Sequence, residues 1–521
     1  MKTSLRLLAF LLLLPFHAYA EDLRIGLAAP ATSMDPHFYN ASPNISVSLH
    51  VFDHLTHRSP DAKVIPWLAE RWEPVGDTAW DFHLRPGVKF HDGSALTPDD
   101  IAFSLARVPN VPNSPGNFGG YIRNVTSVET IDANTVRIHT KVPTPTLPGD
   151  LATIFIVSRH VGQNATTEDY NSGKAAIGSG PYRLVRYVSG DRVELVRNED
   201  WWGPKPEWEH VTIRFIPAPA TRTAALLAGD VDLIDVPPAA DLPRLRQDSK
   251  ISVFSIQGLR VIFLYPDFSR KGEEPFVTDN NDKKLATNPF HDLKVRQALS
   301  LAINRQGLAD RVMQGTAVPT GQWLPPGTFG YTPDVKVPPY DPAKAKALLA
   351  EAGFPDGFKL TLHTPNDRYP NDAATAQAVA QMWTRIGIKT SVEAIPWASY
   401  AGRANHQEFS MGLIGWGSNT AEAGYALINV IGTFDPKAGR GSANSGRYSN
   451  PALDALTDKA TSTLDDASRE ARLRQAVVMS MADVPFIPMY QLINFWAARK
   501  GITYDAREDE RSVAMNAHLQ K

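Results

Sequence analysis

The chain has 521 residues, 43% hydrophobic and 21% charged, with 53 basic residues, 55 acidic residues and no cysteine. That balance gives no electrostatic footprint for nucleic acid or an acidic membrane surface, and the absence of cysteine excludes disulfides, thiolate metal sites and an N-terminal lipid anchor. A chain of this length buries several cores, and ordinary domain sizes predict about two to four domains.

At the N-terminus, Lys2 and Arg6 precede the apolar run of residues 7–16, which is too short to span a bilayer, and Ala18-Tyr19-Ala20 has the small-x-small cleavage pattern. This predicts a secretory signal peptide over residues 1–20. The mature product is expected to be exported without a direct membrane anchor, most simply into a bacterial periplasm. Losing Lys2 and Arg6 leaves 51 basic against 55 acidic residues, a net charge of −4. No internal repeat of fixed period or low-complexity tract is visible, and the 41 prolines punctuate many short elements.

Residues 22–27 alternate as a strand, stopped by the turn Ser33-Met34-Asp35-Pro36, and residues 48–55 read as a short helix. In the next segment Trp80, Phe82 and Leu84 alternate with Asp81 and His83, a half-exposed strand closed by Arg85-Pro86-Gly87. A helix starts at Thr97, with Pro98 in first position, Asp99 and Asp100 facing the helix dipole, and Ile101, Phe103, Leu105 and Ala106 as its buried positions. His91 and Asp92 have no third ligand nearby and predict an Asx-type turn at Gly93 rather than a metal site. Gly178-Ser179-Gly180-Pro181 lacks the G-x-S-x-G pattern of a nucleophile elbow and the third glycine of a phosphate loop, so it predicts a turn before a hairpin of residues 182–187 and 192–197. Val295, Leu299 and Ile303 fall at helical spacing on a core helix.

Residues 411–416 form a short apolar run with glycines at 412 and 415, the length of a buried strand. Ser418, Asn419, Thr420 and Glu422 follow Trp416 at its end, where open α/β sheets gather ligands, although an ordinary strand-to-helix loop capped by Asn419 or Thr420 has the same pattern. The histidines are scattered, without an i, i+4 or facial arrangement for nickel or haem. Neither a metal nor a cofactor is expected.

Four blocks in register carry a resemblance: AERWEPVGDTAWDFHLRPGVKFHDGSALTPDDIAFSLARV (69–108), GSGPYRLVRYVSGDRVELVRNEDWW (178–202), FHDLKVRQALSLAI (290–303), and YSNPALDAL (448–456) on through DVPFIPMY (483–490). The chain resembles the periplasmic solute-binding proteins of peptide, nickel and related ABC importers, the extracellular family 5 type. The resemblance implies a bilobal α/β periplasmic-binding-protein fold with an extra subdomain. Lobe I would comprise residues 21–51, 175–269 and 484–521, the extra subdomain 52–174, and lobe II 270–483.

In the peptide-binding members of that family an Asp three residues after the strand-end Trp pairs with the peptide α-ammonium, and here Asn419 holds that position. Glu422 is the substitute carboxylate, and Arg368 best matches the Arg that meets the peptide carboxylate. The resemblance further implies Trp416 and Tyr425 as apolar walls, Ser418 and Thr420 as hydrogen-bonding neighbours, and Met34 and His37 lining the pocket from lobe I. The expected function is non-enzymatic: a monomeric receptor that closes on a peptide or peptide-like solute and delivers it to an ABC permease. A non-peptide solute such as an opine or an amino-sugar conjugate is the alternative. An exported hydrolase is the remote one, since the chain shows no triad.

Overall fold

The computed structural model describes residues 22–418 and 420–520. The predicted signal peptide and Asn419 therefore lie outside the described residues. Among those residues, no helix is long and apolar enough to cross a membrane.

The scaffold is a 12-stranded mixed sheet that runs through two halves of the molecule. On one side Asp22–Leu27 lies parallel to His210–Phe215, followed outward by the predicted hairpin, observed as Arg192–Arg197 and Tyr182–Val188. On the other side Met411–Gly417 and Lys359–Pro365 continue the sheet. A separate four-stranded antiparallel sheet, Ala69–Pro74, Ala79–Leu84, Thr135–Thr140 and Val125–Asp132, packs into the same core as the first half through Phe82, Val136 and Ile138. The second half has its own cores, one around Leu299, Leu362 and Trp383 and one around Trp323, Tyr400 and Phe486.

Two long strands, Ile251–Pro266 and Ile487–Arg499, join the halves. They pair antiparallel from Ile251 opposite Arg499 to Gln257 opposite Ile493, then break register before resuming at Val261 opposite Gln491. The break has a local cause. A Cβ on Gly258 would lie 2.6 Å from the Asn494 amide oxygen, so only glycine lets that amide fold across the strand. The Asn494 Nδ2 then donates to the carbonyls of Arg507 and Glu508 at 3.0 and 3.1 Å. This bulged stretch is where the two strands pass between the halves, the place a hinge of the bilobal fold occupies.

Local chemistry accounts for most elements. The helix Pro98–Arg107 begins as predicted, with the Asp100 carboxylate accepting from both the backbone N–H and the hydroxyl of Thr97 at 2.8 and 3.0 Å. Its buried face is Ile101, Ser104 and Leu105; Phe103 is half-buried and Ala106 exposed, because i, i+3, i+4 spacing selects Ser104. The predicted helix at 48–55 is shifted: the helix is Ser42–Val51, with Pro43 fixing its first turn. His91 is buried and bonded to the Gly180 carbonyl at 3.0 Å, while Asp92 turns the chain through Ser94. Ser179 donates to Asp53 at 2.9 Å and is fully buried, so it anchors a turn.

Candidate functional site

The strand Met411–Gly417 ends in the mouth between the two halves. Gly415 is needed there, because a Cβ would sit 2.8 Å from the Tyr369 ring, whose hydroxyl donates to the Gly415 carbonyl at 3.1 Å. This close approach seats Tyr369 against the strand end and brings Arg368 beside it. Arg368 is exposed, its guanidinium 5.2 Å from the Tyr369 ring and 5.6 Å from Trp397, and it makes no ion pair among the described residues. A planar cation held on two aromatic faces keeps its donors available to a carboxylate.

Beyond Trp416 the chain turns sharply, with Ala421 at φ 52°. Ser418 is buried and committed to the loop, its backbone N–H donating to Leu259 and its hydroxyl to the Glu422 carbonyl. The Trp416 indole N–H and the Thr420 hydroxyl are buried without a partner among the described residues, an arrangement with a cost that a bound molecule can relieve. Trp416 packs on Tyr425 at 5.4 Å.

Tyr425 in turn stacks on Tyr121, which belongs to the segment beside the four-stranded sheet. The ring centroids are 5.9 Å apart, the rings are inclined by 10°, and the hydroxyls lie 3.4 Å apart. Arg123, two residues on, reaches the Gly439 carbonyl at 3.3 Å. The mouth is therefore closed by an aromatic bridge built from both halves.

Glu422 does not present a free carboxylate. Arg469 approaches its Oε1 at 2.7 Å while stacking 4.1 Å from the Phe329 ring, and both side chains are largely buried. Across the mouth, the first half carries Asp150, which accepts from the Thr146 hydroxyl at 2.7 Å and makes no ion pair among the described residues. Burial pushes its pKa up to about 7, and the Glu422 charge adds to that push.

At the hinge itself Arg260 pairs with Glu510 at 2.6 Å, and the Ser42 hydroxyl donates to the same carboxylate at 2.9 Å. Burial opposes the Glu510 charge, but Arg260 outweighs it and holds the carboxyl below its usual range.

The structure thus brings together Trp416, Ser418, Thr420, Glu422, Tyr425 and Arg368. The expectation for Met34 and His37 is corrected. Met34 is fully buried in the core of the first half. His37 is fully buried with both ring nitrogens occupied, one 2.8 Å from the Phe155 carbonyl and the other 3.1 Å from Arg107, itself bound to Asp35. Burial lowers its pKa to about 4. Sequence reasoning missed Tyr121, Asp150, Arg260 and Glu510. Only Arg260 left a signal, as the lone charge in an otherwise apolar run, residues 259–266. Among the described residues no group of three His, Asp or Glu side chains is placed to hold a metal.

Comparison with known proteins agrees with this architecture. Residues 63–436 match the family model described as "Bacterial extracellular solute-binding proteins, family 5 Middle". The chain is 30% identical over 497 residues to Heme-binding protein A of Haemophilus influenzae, covering 90% of this chain and 85% of that protein. It is 29% identical over 466 residues to the Dipeptide-binding protein of Escherichia coli, covering 84% of this chain and 83% of that one. Among solved structures, HbpA2 from Haemophilus parasuis superimposes with a TM-score of 0.80 at 26% identity, over 96% of this chain and 100% of the other. With a matched region of that length and a relative at that identity, the chain belongs to the bacterial extracellular solute-binding proteins of family 5.

Proposed function

We propose that this protein is the periplasmic receptor of an ABC importer, closing on a peptide or peptide-like solute and presenting the closed form to the permease. The observation that carries this reading is the Tyr121 to Tyr425 bridge across the mouth, hinged on two strands. Ligand that touches both halves binds the closed form better than the open one, and that differential affinity moves the population. The lobes are residues 21–51, 175–269 and 484–521 on one side and 270–483 on the other, with 52–174 as the extra subdomain. The relatives named as dipeptide-binding proteins support the solute class, with Arg368 the group that meets a carboxylate. Among the described residues the site offers positioning groups and no nucleophile paired with a base, which fits a binder rather than a hydrolase.

One observation favours the second reading, a non-peptide solute. The peptide ammonium anchor is replaced by Asn419, and Glu422 is already neutralised by Arg469. Relatives outside the peptide group, Heme-binding protein A among them, fit that alternative.

Native mass spectrometry of protein purified from its own periplasm separates the readings, since a co-purified solute reports its own mass. Incubated with a dipeptide and tripeptide pool, the mature protein is expected to gain about 2.7 kcal/mol of stability at a hundredfold excess over Kd, while the pool stays chemically intact. Accumulating hydrolysis products would overturn the receptor reading.

A further inference from the structure

A second cavity, of about 200 Å³, lies within the first half. Its walls come from residues 49–67, Pro181, Trp201 and the C-terminal segment 507–516, with none from residues 270–483. All of its walls therefore belong to one half.

Its polar lining leans toward donors. The Arg58 Nε, both ring nitrogens of His54 and the Nδ1 of His57 are buried without a partner among the described residues, while the Trp201 indole faces Asp53. A guanidinium can only donate, and each neutral imidazole adds one N–H beside one lone pair. The one carboxylate on the wall is already used: Asp53 accepts from Trp67 at 2.7 Å, Trp202 at 3.0 Å and Ser179 at 2.9 Å.

The charge balance is one-sided as well. Arg58 is 3% exposed and donates only to the carbonyls of Ala62 and Gly149, both at 2.9 Å, with no carboxylate in ion-pair range among the described residues. Next to it Arg507 and Arg511 share a single Asp509, at 2.7 and 3.5 Å. Burial and these arginines hold His54 and His57 neutral, so neither adds charge, and a cationic guest would be repelled. Asp150 and Glu422 act on Arg58 only from beyond ion-pair contact, and a buried guanidinium without a contacting counter-charge is costly, so an anion relieves it.

Size and shape define the rest of the guest. An apolar cavity of about 150 Å³ accommodates benzene, so this one has room for a ring with a small substituent. One wall is aromatic, a stack of His57 on Trp67 at 4.3 Å and 21° and of His54 on His57 at 5.8 Å. We propose that this cavity is a second ligand site that takes a small organic monoanion, a carboxylate on a compact flat apolar body. Its oxygens accept from Arg58 Nε and the histidine N–H groups.

The test uses the mature full-length protein with benzoate as the probe and benzyl alcohol as its uncharged counterpart. Calorimetry is expected to show one benzoate per chain, benzyl alcohol at least about tenfold weaker, and unchanged benzoate affinity in Trp416→Ala. Arg58→Met should weaken benzoate at least about tenfold, and His54→Trp should abolish binding by filling the space. Should those variants fail to fold, magnetisation transfer from benzoate to the labelled Met515 methyl, a lining group of the wild-type protein, still decides. Transfer to Met515 supports the site. No benzoate binding at millimolar concentration, equal binding of benzyl alcohol, or loss of benzoate in Trp416→Ala would each overturn it.

Discussion

Arg260 and Glu510 meet at 2.6 Å on the register break of the crossing strands, one supplied by the strand and the other by the C-terminal segment. Leu259 beside the first donates its N–H to Glu508 near the second at 3.1 Å, so the pair fixes the angle at which the C-terminal segment lies on the hinge.

Glu510→Gln should therefore destabilise the protein, since it leaves Arg260 partly desolvated without a counter-charge. Arg260 is 15% and Glu510 32% exposed, which places the loss between that of a surface pair and a fully buried one, roughly 1 to 3 kcal/mol. Because the Glu510 pKa is lowered in the folded state, its contribution is present above the unfolded carboxyl value and fades as pH falls through the folded one. Urea midpoints of wild type and Glu510→Gln should differ at pH 7 and converge in acid. A difference that persists at low pH would mean that charge is not its source.

Tyr425→Ala removes one face of the aromatic bridge. The stacking contributes roughly 0.5 to 1.5 kcal/mol beyond area burial, so solute affinity is expected to drop by up to about tenfold. Small-angle scattering should show the wild type contracting at saturating solute, with Tyr425→Ala needing more solute for the same contraction. An identical dependence in both proteins would take the bridge out of the closing step.

Local patterns were legible wherever a few neighbouring residues decide the structure. Thr97 and Asp100 set a helix start three residues apart, and Ser189-Gly190-Asp191 turns a hairpin with Gly190 at φ 74°. The strand ending at Trp416 was likewise readable from its apolar run. The bridge and the hinge pair were not, because Tyr121 and Tyr425 are 304 residues apart and Arg260 and Glu510 are 250 apart. No local periodicity records such a meeting. Met34 and His37 went astray for the opposite reason: a polar turn reads as surface, but the sequence does not show that Phe155 and Arg107 close over His37.

His50 is expected to make the fold acid-sensitive. It is fully buried, Nδ1 lies 2.9 Å from the Ser46 carbonyl, and Nε2 accepts from the Ala514 N–H at 2.9 Å. Burial lowers its pKa from 6.5 to about 4. The unfolded chain then binds a proton that the native state refuses, so stability falls as pH drops from about 6.5 to about 4, by on the order of 3 kcal/mol. Unfolding free energies measured across that window should fall less steeply in His50→Gln. Equal slopes would assign the acid sensitivity to other groups.

The last prediction concerns the charge of the solute at the strand-end loop. The family resemblance puts Asn419 where peptide-binding members carry an anion, Glu422 is held by Arg469, and Asp150 makes no ion pair among the described residues. An amide accepts a hydrogen bond from an ammonium but lacks the charge assistance that roughly doubles such a bond. If the solute presents a cation here, Asn419→Asp should tighten binding by about 1 kcal/mol, and Asp150→Asn should weaken it by a similar amount. If the solute is neutral or anionic at this end, Asn419→Asp should weaken binding, because it adds a carboxylate that the solute does not pair. Asp150→Asn should then leave affinity unchanged or improve it, since Asp150 already carries a pKa pushed up to about 7 by burial. Calorimetric titration of both variants with the co-purified solute separates the two cases. Unaltered affinity in both variants would show that the solute end bearing the charge lies elsewhere, at Arg368 or beyond.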